Sequence, residues 1–241
     1  MSEHGTPRGR MLGSTVATDT FVCLLHSYHA CIFAYGQTGS GKTHTMEGPS
    51  GDRGVYYRAL HQLFMTAHNR RATQSYTVKV SMVEIYNETV RDLLSKDPTQ
   101  SLDLRQGSKG VYIAGVTVAD APTLSSVHEL MAFGGSNRAK GATDANEFSS
   151  RSHSLVMITL EGVNKATGAR TSGKLVLVDL AGSERLAKSH ATGERLKEAK
   201  NINRSLSALG DVISALVAKS SHVPFRNSKL TYLLKDSLGE W

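Results

Sequence analysis

The segment Gly36–Thr43, GQTGSGKT, constrains this chain more than any other part of its sequence. It fits the pattern G-x-x-x-x-G-K-[ST], in which glycines let the backbone N–H groups curl around phosphate oxygens. The apolar run Ala30–Ala34 before it predicts a buried strand, and a helix is predicted to begin near Lys42. This strand–loop–helix context favours a nucleotide phosphate site over a glycine-rich turn that fits the pattern by chance.

Two side chains of this loop have the chemistry that such a site needs. The Lys42 ammonium can reach the β- and γ-phosphates as a point charge. The Thr43 hydroxyl can be a ligand of Mg²⁺, whose other ligands are waters and phosphate oxygens. The candidate nucleotide contacts within the loop are Gly36, Gln37, Thr38, Gly39, Ser40, Gly41, Lys42 and Thr43.

An aspartate ends a second apolar run, KLVLVDL, at residues Lys174–Leu180. Because α/β sheets place ligand groups at the carboxyl ends of their strands, Asp179 could hold Mg²⁺ through a water. Gly182 could donate its backbone N–H to a γ-phosphate with no side chain in the way. The alternative, a strand end with a capping aspartate, would be favoured if the phosphate loop were absent.

Polar residues also crowd the segment Asn146–His153, NEFSSRSH, just before a predicted strand. Serine hydroxyls here could bind Mg²⁺ or position a water. The Arg151 guanidinium could pair with a carboxylate through two N–H groups. Taken alone, this segment would be interpreted as a polar connection, but the two other motifs favour a role in the same site.

The rest of the chain alternates predicted strands and helices, which indicates an α/β layered fold. Helices are predicted over Thr20–His29, Val55–His68, Glu88–Leu94, Ser125–Asn137, Asn201–Val217 and Asn227–Leu238. Strands are predicted over Tyr76–Tyr86, Leu155–Val163 and Lys174–Leu180, the last two as a long hairpin, with short strands and turns over Leu102–Val118.

Composition excludes several classes of protein and permits an acidic partner. Two cysteines form no disulfide framework, and no apolar run approaches the ~18 residues of a membrane span. The formal net charge is +7, and residues 188–235 alone carry nine Lys or Arg against three Asp or Glu. This bias suits an acidic partner, although a solvated helix face is the alternative. Few aromatic residues interrupt the basic stretch, which disfavours a nucleic-acid-dependent ATPase.

Several strings of this sequence together resemble the kinesin motor domain, in an order and spacing that agree from about Cys23 to Gly239. The two strings nearest the C-terminus are most similar to the C-terminal-motor subgroup, kinesin-14. The resemblance implies a P-loop NTPase fold with three α/β/α layers and a mostly parallel or mixed central sheet. The strings are FAYGQTGSGKTHTMEG, NEFSSRSH, LVDLAGSER, NINRSLSALGDVISAL and HVPFRNSKLTYLLKDSLG.

The resemblance also implies roles for individual residues in binding and hydrolysing ATP with Mg²⁺. Asn146–His153 is similar to switch I and Asp179–Glu184 to switch II, so Arg151 is expected to pair with Glu184 around the γ-phosphate. Ser150 is expected at Mg²⁺, Gly182 at the γ-phosphate, and His44 beside the adenine. The implied microtubule contacts, facing acidic tubulin, are Lys188, Lys200, Arg204, Arg226 and Lys229. A cytoplasmic, microtubule-associated protein is implied, with no nucleic acid or membrane partner.

The sequence departs from the family at both ends. Residues 1–20 do not resemble the first strands of the family and are expected to be a flexible leader, with a partial motor domain over 21–241. The final strand, the neck and the coiled coil are not recognisable, so a dimer partner is expected only for a full-length form. The sheet is therefore expected to be incomplete, with Cys31–Ala34 at its edge. The alternative function is a non-motile microtubule-binding or regulatory fragment with residual nucleotide binding.

Overall fold

A computed structural model describes residues 29–49, 51–108, 110–140, 149–184 and 194–239. The predicted leader and most of the helix predicted over residues 20–29 lie outside these ranges, as do Cys23 and Lys188. His29, the one described residue of that predicted helix, begins a strand instead. The strands are β1 (His29–Ala34), β2 (Gln74–Tyr86), β3 (Thr89–Asp92), β4 (Ser101–Leu102), β5 (Leu104–Gly107), β6 (Gly110–Ile113), β7 (Ala119–Asp120), β8 (His153–Asn164) and β9 (Arg170–Asp179).

Seven of the strands form one mixed sheet in the order β1-β9-β8-β2-β3-β4, with β7 beside β2. β1 runs parallel to β9, and the other described pairs of this sheet are antiparallel. The prediction of a mixed sheet is thus confirmed, although parallel pairs are the minority. β1 lies at one end of the order with β9 as its single described partner, which is the edge position expected for Cys31–Ala34.

Helices cover both faces of the sheet, which confirms the three-layer prediction. They are α1 (Lys42–Met46), α2 (Val55–Asn69), α3 (Leu124–Lys140), α4 (Glu194–Val217), α5 (Lys229–Leu233) and α6 (Lys235–Leu238). One core joins α1, α2 and α3 to the sheet through residues such as Leu60, Val127 and Leu177. The other joins α4 and α5 to the opposite face, where Leu209 packs with Leu233 and neighbouring strand residues. No helix among the described residues is long and apolar enough to cross a membrane.

The hairpin β8–β9 positions the predicted site. Its turn is closed by Asn164, whose Oδ1 accepts the N–H groups of Ala166 and Thr167 at 3.0 Å each, and by Gly168, whose φ of 72° lies in the left-handed region. In the resulting register Ser154 faces Asp179, and Asp179 faces Ala34 of β1. The start of the phosphate loop and both polar segments therefore lie at the same end of the sheet.

One helix prediction is wrong, and a second holds only in part. In Glu88–Leu94, the structure has the strand β3, because Asn87 and Glu88 take left-handed φ values of 50° and 57° and form a two-residue hairpin turn from β2. The helix predicted over Asn227–Leu238 is divided into α5 and α6, preceded by a short 3₁₀ turn. Ser228 is extended and its hydroxyl accepts the Thr231 N–H at 3.1 Å, so a new helix begins there.

Candidate functional site

The phosphate loop between β1 and α1 depends on glycine at defined positions. Gly39 and Gly41 have φ values of 79° and 90°, in the left-handed region that side chains with a Cβ rarely adopt. At Gly36 a Cβ would lie 2.6 Å from Ser40 Oγ, so the loop closes on itself there. The loop predicted from the sequence is therefore confirmed as a tight turn between a strand and a helix.

Lys42 is held at the opening of this loop. Its Nζ donates to the carbonyl oxygens of Gly36 and Gln37 at 2.8 and 2.9 Å. These bonds fold the side chain back along the loop, so the ammonium lies close to the loop backbone. An anion bound by the loop would meet this positive charge.

Thr43 and Asp179 meet directly, although 136 positions separate them in the sequence. The Thr43 hydroxyl donates to Asp179 Oδ2 at 2.8 Å. The other oxygen, Asp179 Oδ1, is buried and accepts no hydrogen bond from the described residues. A buried carboxylate oxygen without a donor suits a water held by a divalent cation. No cluster of three or more His, Cys, Asp or Glu in the described ranges could hold a metal alone, so phosphate oxygens and water would supply further ligands.

The structure adds a buried arginine that the sequence reasoning missed. Arg138 on α3 lies between two buried carboxylates, with Nε 3.5 Å from Glu84 Oε1 and Nη1 3.6 Å from Asp179 Oδ2. Its Nη2 also donates to the carbonyl and the hydroxyl of Ser152, at 3.2 Å each. Arg138 thereby fixes the position of Asp179 beside the phosphate loop. In the sequence, the one indication of this network is Glu84, a charged residue inside the apolar run of β2.

Backbone hydrogen bonds bring the three predicted segments together. The Gly182 N–H donates to the Ser150 carbonyl at 2.7 Å, which joins the segment after β9 to the segment before β8. The Ser183 N–H donates to the Gly36 carbonyl at 3.0 Å, which joins it to the phosphate loop. A Cβ on Gly182 would lie 2.3 Å from Thr38 Oγ1, so glycine is needed for this close approach.

The pairing of Arg151 with Glu184 implied by the resemblance is not the one in this structure. Glu184 accepts the Thr38 N–H at 2.9 Å and the Thr38 hydroxyl at 2.6 Å. Burial raises the pKa of Glu184, but the hydrogen bonds from Thr38 outweigh it and the net pKa is lowered. Arg151 instead donates to Glu198 of α4 at 3.0 Å. Arg151 and Glu184 therefore bond to other residues. Arg151 bonds to the buried Glu198, and Glu184 bonds to two donors of Thr38.

Glu198 is a second residue that the sequence reasoning did not select. It is 8 % exposed and connects the short 3₁₀ turn carrying Arg151 to α4. Burial and a hydrogen bond to Glu198 raise the pKa of Tyr86, so the same carboxylate also faces the end of β2. A single glutamate on α4 therefore faces both the predicted switch I and the sheet.

His153 connects the two polar segments to the same helix. Its Nδ1 accepts the Ala181 N–H at 3.0 Å, and its Nε2 lies 2.7 Å from Ser205 Oγ on α4. Because Ser205 Oγ donates to the Ile202 carbonyl at 2.8 Å, its oxygen accepts from His153 Nε2–H. Burial, and then the charge of Arg138, lower the pKa of His153 from 6.5 to about 3. The ring is thus neutral and holds a fixed tautomer.

Replacing His153 with Asn is expected to weaken the pH dependence of stability. The folded protein keeps His153 neutral down to about pH 3, whereas the unfolded chain takes up a proton below about pH 6.5. Above pH 6.5 this group therefore does not lower the free energy of unfolding of the wild type. Below pH 6.5 that free energy falls by up to about 1.4 kcal/mol per pH unit as the pH decreases. The free energy of unfolding, measured with urea between pH 7 and 4, should depend less steeply on pH for His153→Asn than for wild type. An equal dependence on pH in the two proteins would contradict this assignment.

The other predicted residues among those described are exposed or partly exposed. His44 is exposed on α1, next to the phosphate loop. Lys200 and Arg204 are exposed on α4, and Arg226 is exposed just before α5, with its guanidinium 5.8 Å from the Tyr232 ring. Lys229 begins α5 and is partly exposed. These four cations share the helical face of the sheet that carries α4 and α5.

Comparison with known proteins agrees with this geometry. The family model described as the kinesin motor domain matches residues 10–240. The rice (Oryza sativa subsp. japonica) kinesin-like protein KIN-14E is 52% identical over 92% of this chain, and Arabidopsis thaliana KIN-14R is 53% identical over 92%. In both cases the chain covers 21% of the relative, so it spans about a fifth of the length of these curated proteins.

A solved structure shows the same architecture. The C-terminal motor and motor homology domain of Kar3Vik1, fused to a synthetic heterodimeric coiled coil, superimposes with a TM-score of 0.86 at 40% identity. The superposition covers 96% of this chain and 60% of that one. Sequence and fold thus agree on the relationship.

Proposed function

The chain belongs to the kinesin motor domain family, and we propose that it hydrolyses ATP and couples hydrolysis to microtubule binding, as a motor domain similar to those of kinesin-14 proteins. One observation carries this proposal. The Gly182 and Ser183 N–H groups bond the carbonyls of Ser150 and Gly36, so that phosphate loop, switch I and switch II form one site. Such a site can respond to whether a terminal phosphate is present.

The residues of the loop fit Mg²⁺ and ATP. We propose that Gly36–Thr43 binds the phosphates, with Lys42 at the β/γ position and His44 beside the adenine. Thr43, Ser150 and Asp179, the last through a water, would hold Mg²⁺, which neutralises phosphate charge during transfer. Asp179 Oδ1, which accepts no hydrogen bond within the described ranges, supports this assignment. When a γ-phosphate is bound, the Gly182 N–H would leave the Ser150 carbonyl and donate to that phosphate. Ser150, Arg151 and Glu184 would organise the attacking water.

The hydrogen bonds of Thr38 suggest how the switches exchange partners. Thr38 can donate its N–H to Glu184, as it does here, or to a phosphate oxygen, but not fully to both. Glu184 released from Thr38 would be free to pair with Arg151, which would then leave Glu198. Loss of Arg151 from Glu198 would remove one contact between switch I and α4, while His153 would still connect Ala181 to Ser205. Nucleotide state would in this way reach the helix that carries Lys200 and Arg204.

The cations on the α4 and α5 face are the proposed contacts with the microtubule. Tubulin is acidic, and exposed charges at the rim of an interface act mainly on association rate and salt dependence. Arg226→Ala or Lys229→Ala is expected to weaken microtubule co-sedimentation about two- to fivefold at low salt, and less at high salt. Lys96→Ala, an exposed lysine on the β3–β4 connection, is the matched control. An unchanged affinity of the Arg226 and Lys229 variants across a salt titration would count against these contacts.

We further propose a cytoplasmic, microtubule-associated location and a coiled-coil partner for the full-length protein. The coiled coil is suggested by the Kar3Vik1 structure, in which the motor is joined to one. The two plant relatives are more than four times as long as this chain, so segments beyond the motor would supply dimerisation. Neither a nucleic acid nor a membrane is part of the proposal.

Nucleotide-dependent pelleting with microtubules distinguishes this function from a non-motile binding module. A motor domain is expected to pellet more strongly with a non-hydrolysable ATP analogue than with ADP, because the switches couple the phosphate to α4. A module that only binds microtubules would pellet equally with both nucleotides. Equal pelleting at every salt concentration would therefore contradict the proposed coupling.

A further inference from the structure

The N-terminal end of β2 has an open backbone edge beside a cavity of about 890 Å³. The cavity lies between the second half of α2, the start of β2, and the segment from β7 to the start of α3. It is at the end of the sheet opposite the phosphate loop, because Gln74 of β2 pairs with Asn164 at the far end of β8. No part of the proposed ATPase uses it.

The direction of the backbone groups of β2 follows from its hydrogen bonds. The Lys165 N–H donates to the Thr73 carbonyl at 2.9 Å, on the side of β8. The Ala121 N–H donates to the Val78 carbonyl at 2.9 Å, on the opposite side. Successive residues of a strand turn their backbone N–H and C=O groups to alternate edges. The backbone groups of Tyr76 therefore point to the same edge as those of Val78.

The pairing on this second edge stops before it reaches Tyr76. Among the described residues, β7 pairs with β2 only at Lys79 and Val80. The bond from the Ala121 N–H to the Val78 carbonyl is the last hydrogen bond on this edge. Two residues later, the Thr123 N–H is taken by Ser126 Oγ at 3.1 Å in the cap of α3. Within the described ranges, therefore, no strand pairs with the Tyr76 backbone on the side of the cavity.

Apolar side chains form the walls beside this edge. Phe64 and Met65 of α2 line the cavity together with Tyr76 of β2 and Leu124 of α3. Met65 is 45% exposed although it belongs to a helix that packs on the sheet. An open strand edge flanked by an apolar wall is the geometry that accepts an added strand.

The rim of the cavity is positively charged. Arg71 and Lys165 line it together with His61 and His68, against one carboxylate, Asp120. Lys165 Nζ donates to the Arg71 carbonyl at 2.6 Å, which holds the ammonium against the backbone of Arg71. In the part of the chain that the structure describes, neither cation forms an ion pair with a carboxylate. A ligand that brings carboxylates would therefore be preferred.

We propose that an extended acidic segment of a partner protein binds here as an additional strand on the open edge of β2. Its backbone would pair with Tyr76, and the apolar side chains on its cavity face would contact Phe64 and Leu124. A carboxylate at its end, past the start of β2, would face Arg71 and Lys165. Main-chain hydrogen bonds would supply affinity, and the apolar face together with the acidic end would supply specificity.

Fluorescence anisotropy with three labelled peptides tests this proposal on the full chain. The acidic peptide EVELEVE is expected to bind saturably. Its lysine counterpart KVKLKVK is expected to bind at least about tenfold more weakly, because it meets like charges. A fully N-methylated EVELEVE, which cannot donate main-chain hydrogen bonds, is expected not to bind. Equal binding of all three peptides, or no binding of EVELEVE, would overturn the proposal.

Variants of the chain complete the test. Arg71→Glu combined with Lys165→Glu is expected to raise the Kd of EVELEVE about tenfold, whereas Lys96→Glu, a charge reversal elsewhere on the surface, should leave it unchanged. Equal Kd values for these proteins, with unchanged melting temperatures, would overturn the proposal. Because no nucleotide or microtubule is present, the result is independent of the motor function.

Discussion

Replacing Lys42 with alanine is expected to reduce the ATPase rate by about a hundredfold or more. The ammonium is the one side-chain charge that the phosphate loop itself provides, and it lies against the Gly36 and Gln37 carbonyls at 2.8 and 2.9 Å. Without it, negative charge that develops between the β- and γ-phosphates would have no fixed cation of the loop nearby. Steady-state phosphate release by wild type and Lys42→Ala measures the effect.

The stability of the Lys42→Ala protein distinguishes lost chemistry from lost folding. Lys42 is only partly buried, so the variant should unfold within about 1 kcal/mol of wild type in urea. Lys96→Ala, on the exposed β3–β4 connection, should retain full activity. A folded Lys42→Ala protein with wild-type turnover would contradict the assignment of this loop.

The largest expected effect on stability comes from Arg138→Ala. This change leaves the carboxylates of Glu84 and Asp179, each 4% exposed at the side chain, without their shared cation. Removing one partner of a buried ion pair costs about 3–5 kcal/mol, because the remaining charge is uncompensated. Urea unfolding at neutral pH should show the midpoint shift to much lower denaturant. Since Asp179 would also lose its fixed position, ATP turnover should fall as well.

Arg58→Ala is the matched control for Arg138→Ala. Arg58 also contacts a carboxylate, Asp52, at 2.8 Å, but both side chains are more than two-fifths exposed. Exposed ion pairs contribute less than about 1 kcal/mol, so this variant should unfold near wild type. If the two arginine variants lost similar small amounts of stability, the network around Asp179 would not be a structural element of the site.

Local sequence patterns predicted the parts of the site that neighbours in the chain determine. The phosphate loop follows from its glycines, and the hairpin β8–β9 follows from two apolar runs and the turn between them. The register of this hairpin then places Ser154 beside Asp179 without any further information. The helix predicted over Glu88–Leu94 failed because two left-handed residues, Asn87 and Glu88, reverse the chain there. Neither residue is glycine, so the sequence contains no strong signal for that turn.

The charged networks could not be predicted because they depend on packing between distant elements. Glu84 reaches the site only because β2 pairs with β8 so that Glu84 faces Ser154, which in turn faces Asp179. Arg138 joins them only when α3 packs on that face of the sheet. The partner of Arg151 is likewise decided by the position of α4, which brings Glu198 within 3.0 Å of the guanidinium.

We propose that one site joins the phosphate loop to two switch segments and to a helix that binds microtubules. The most direct test of this proposal is the ATPase rate of the purified chain with no additive, with microtubules, and with single-stranded DNA. We expect strong stimulation by microtubules, none by DNA, and no stimulated turnover in Lys42→Ala. Microtubule binding without any increase in turnover, or stimulation by DNA alone, would contradict the claim.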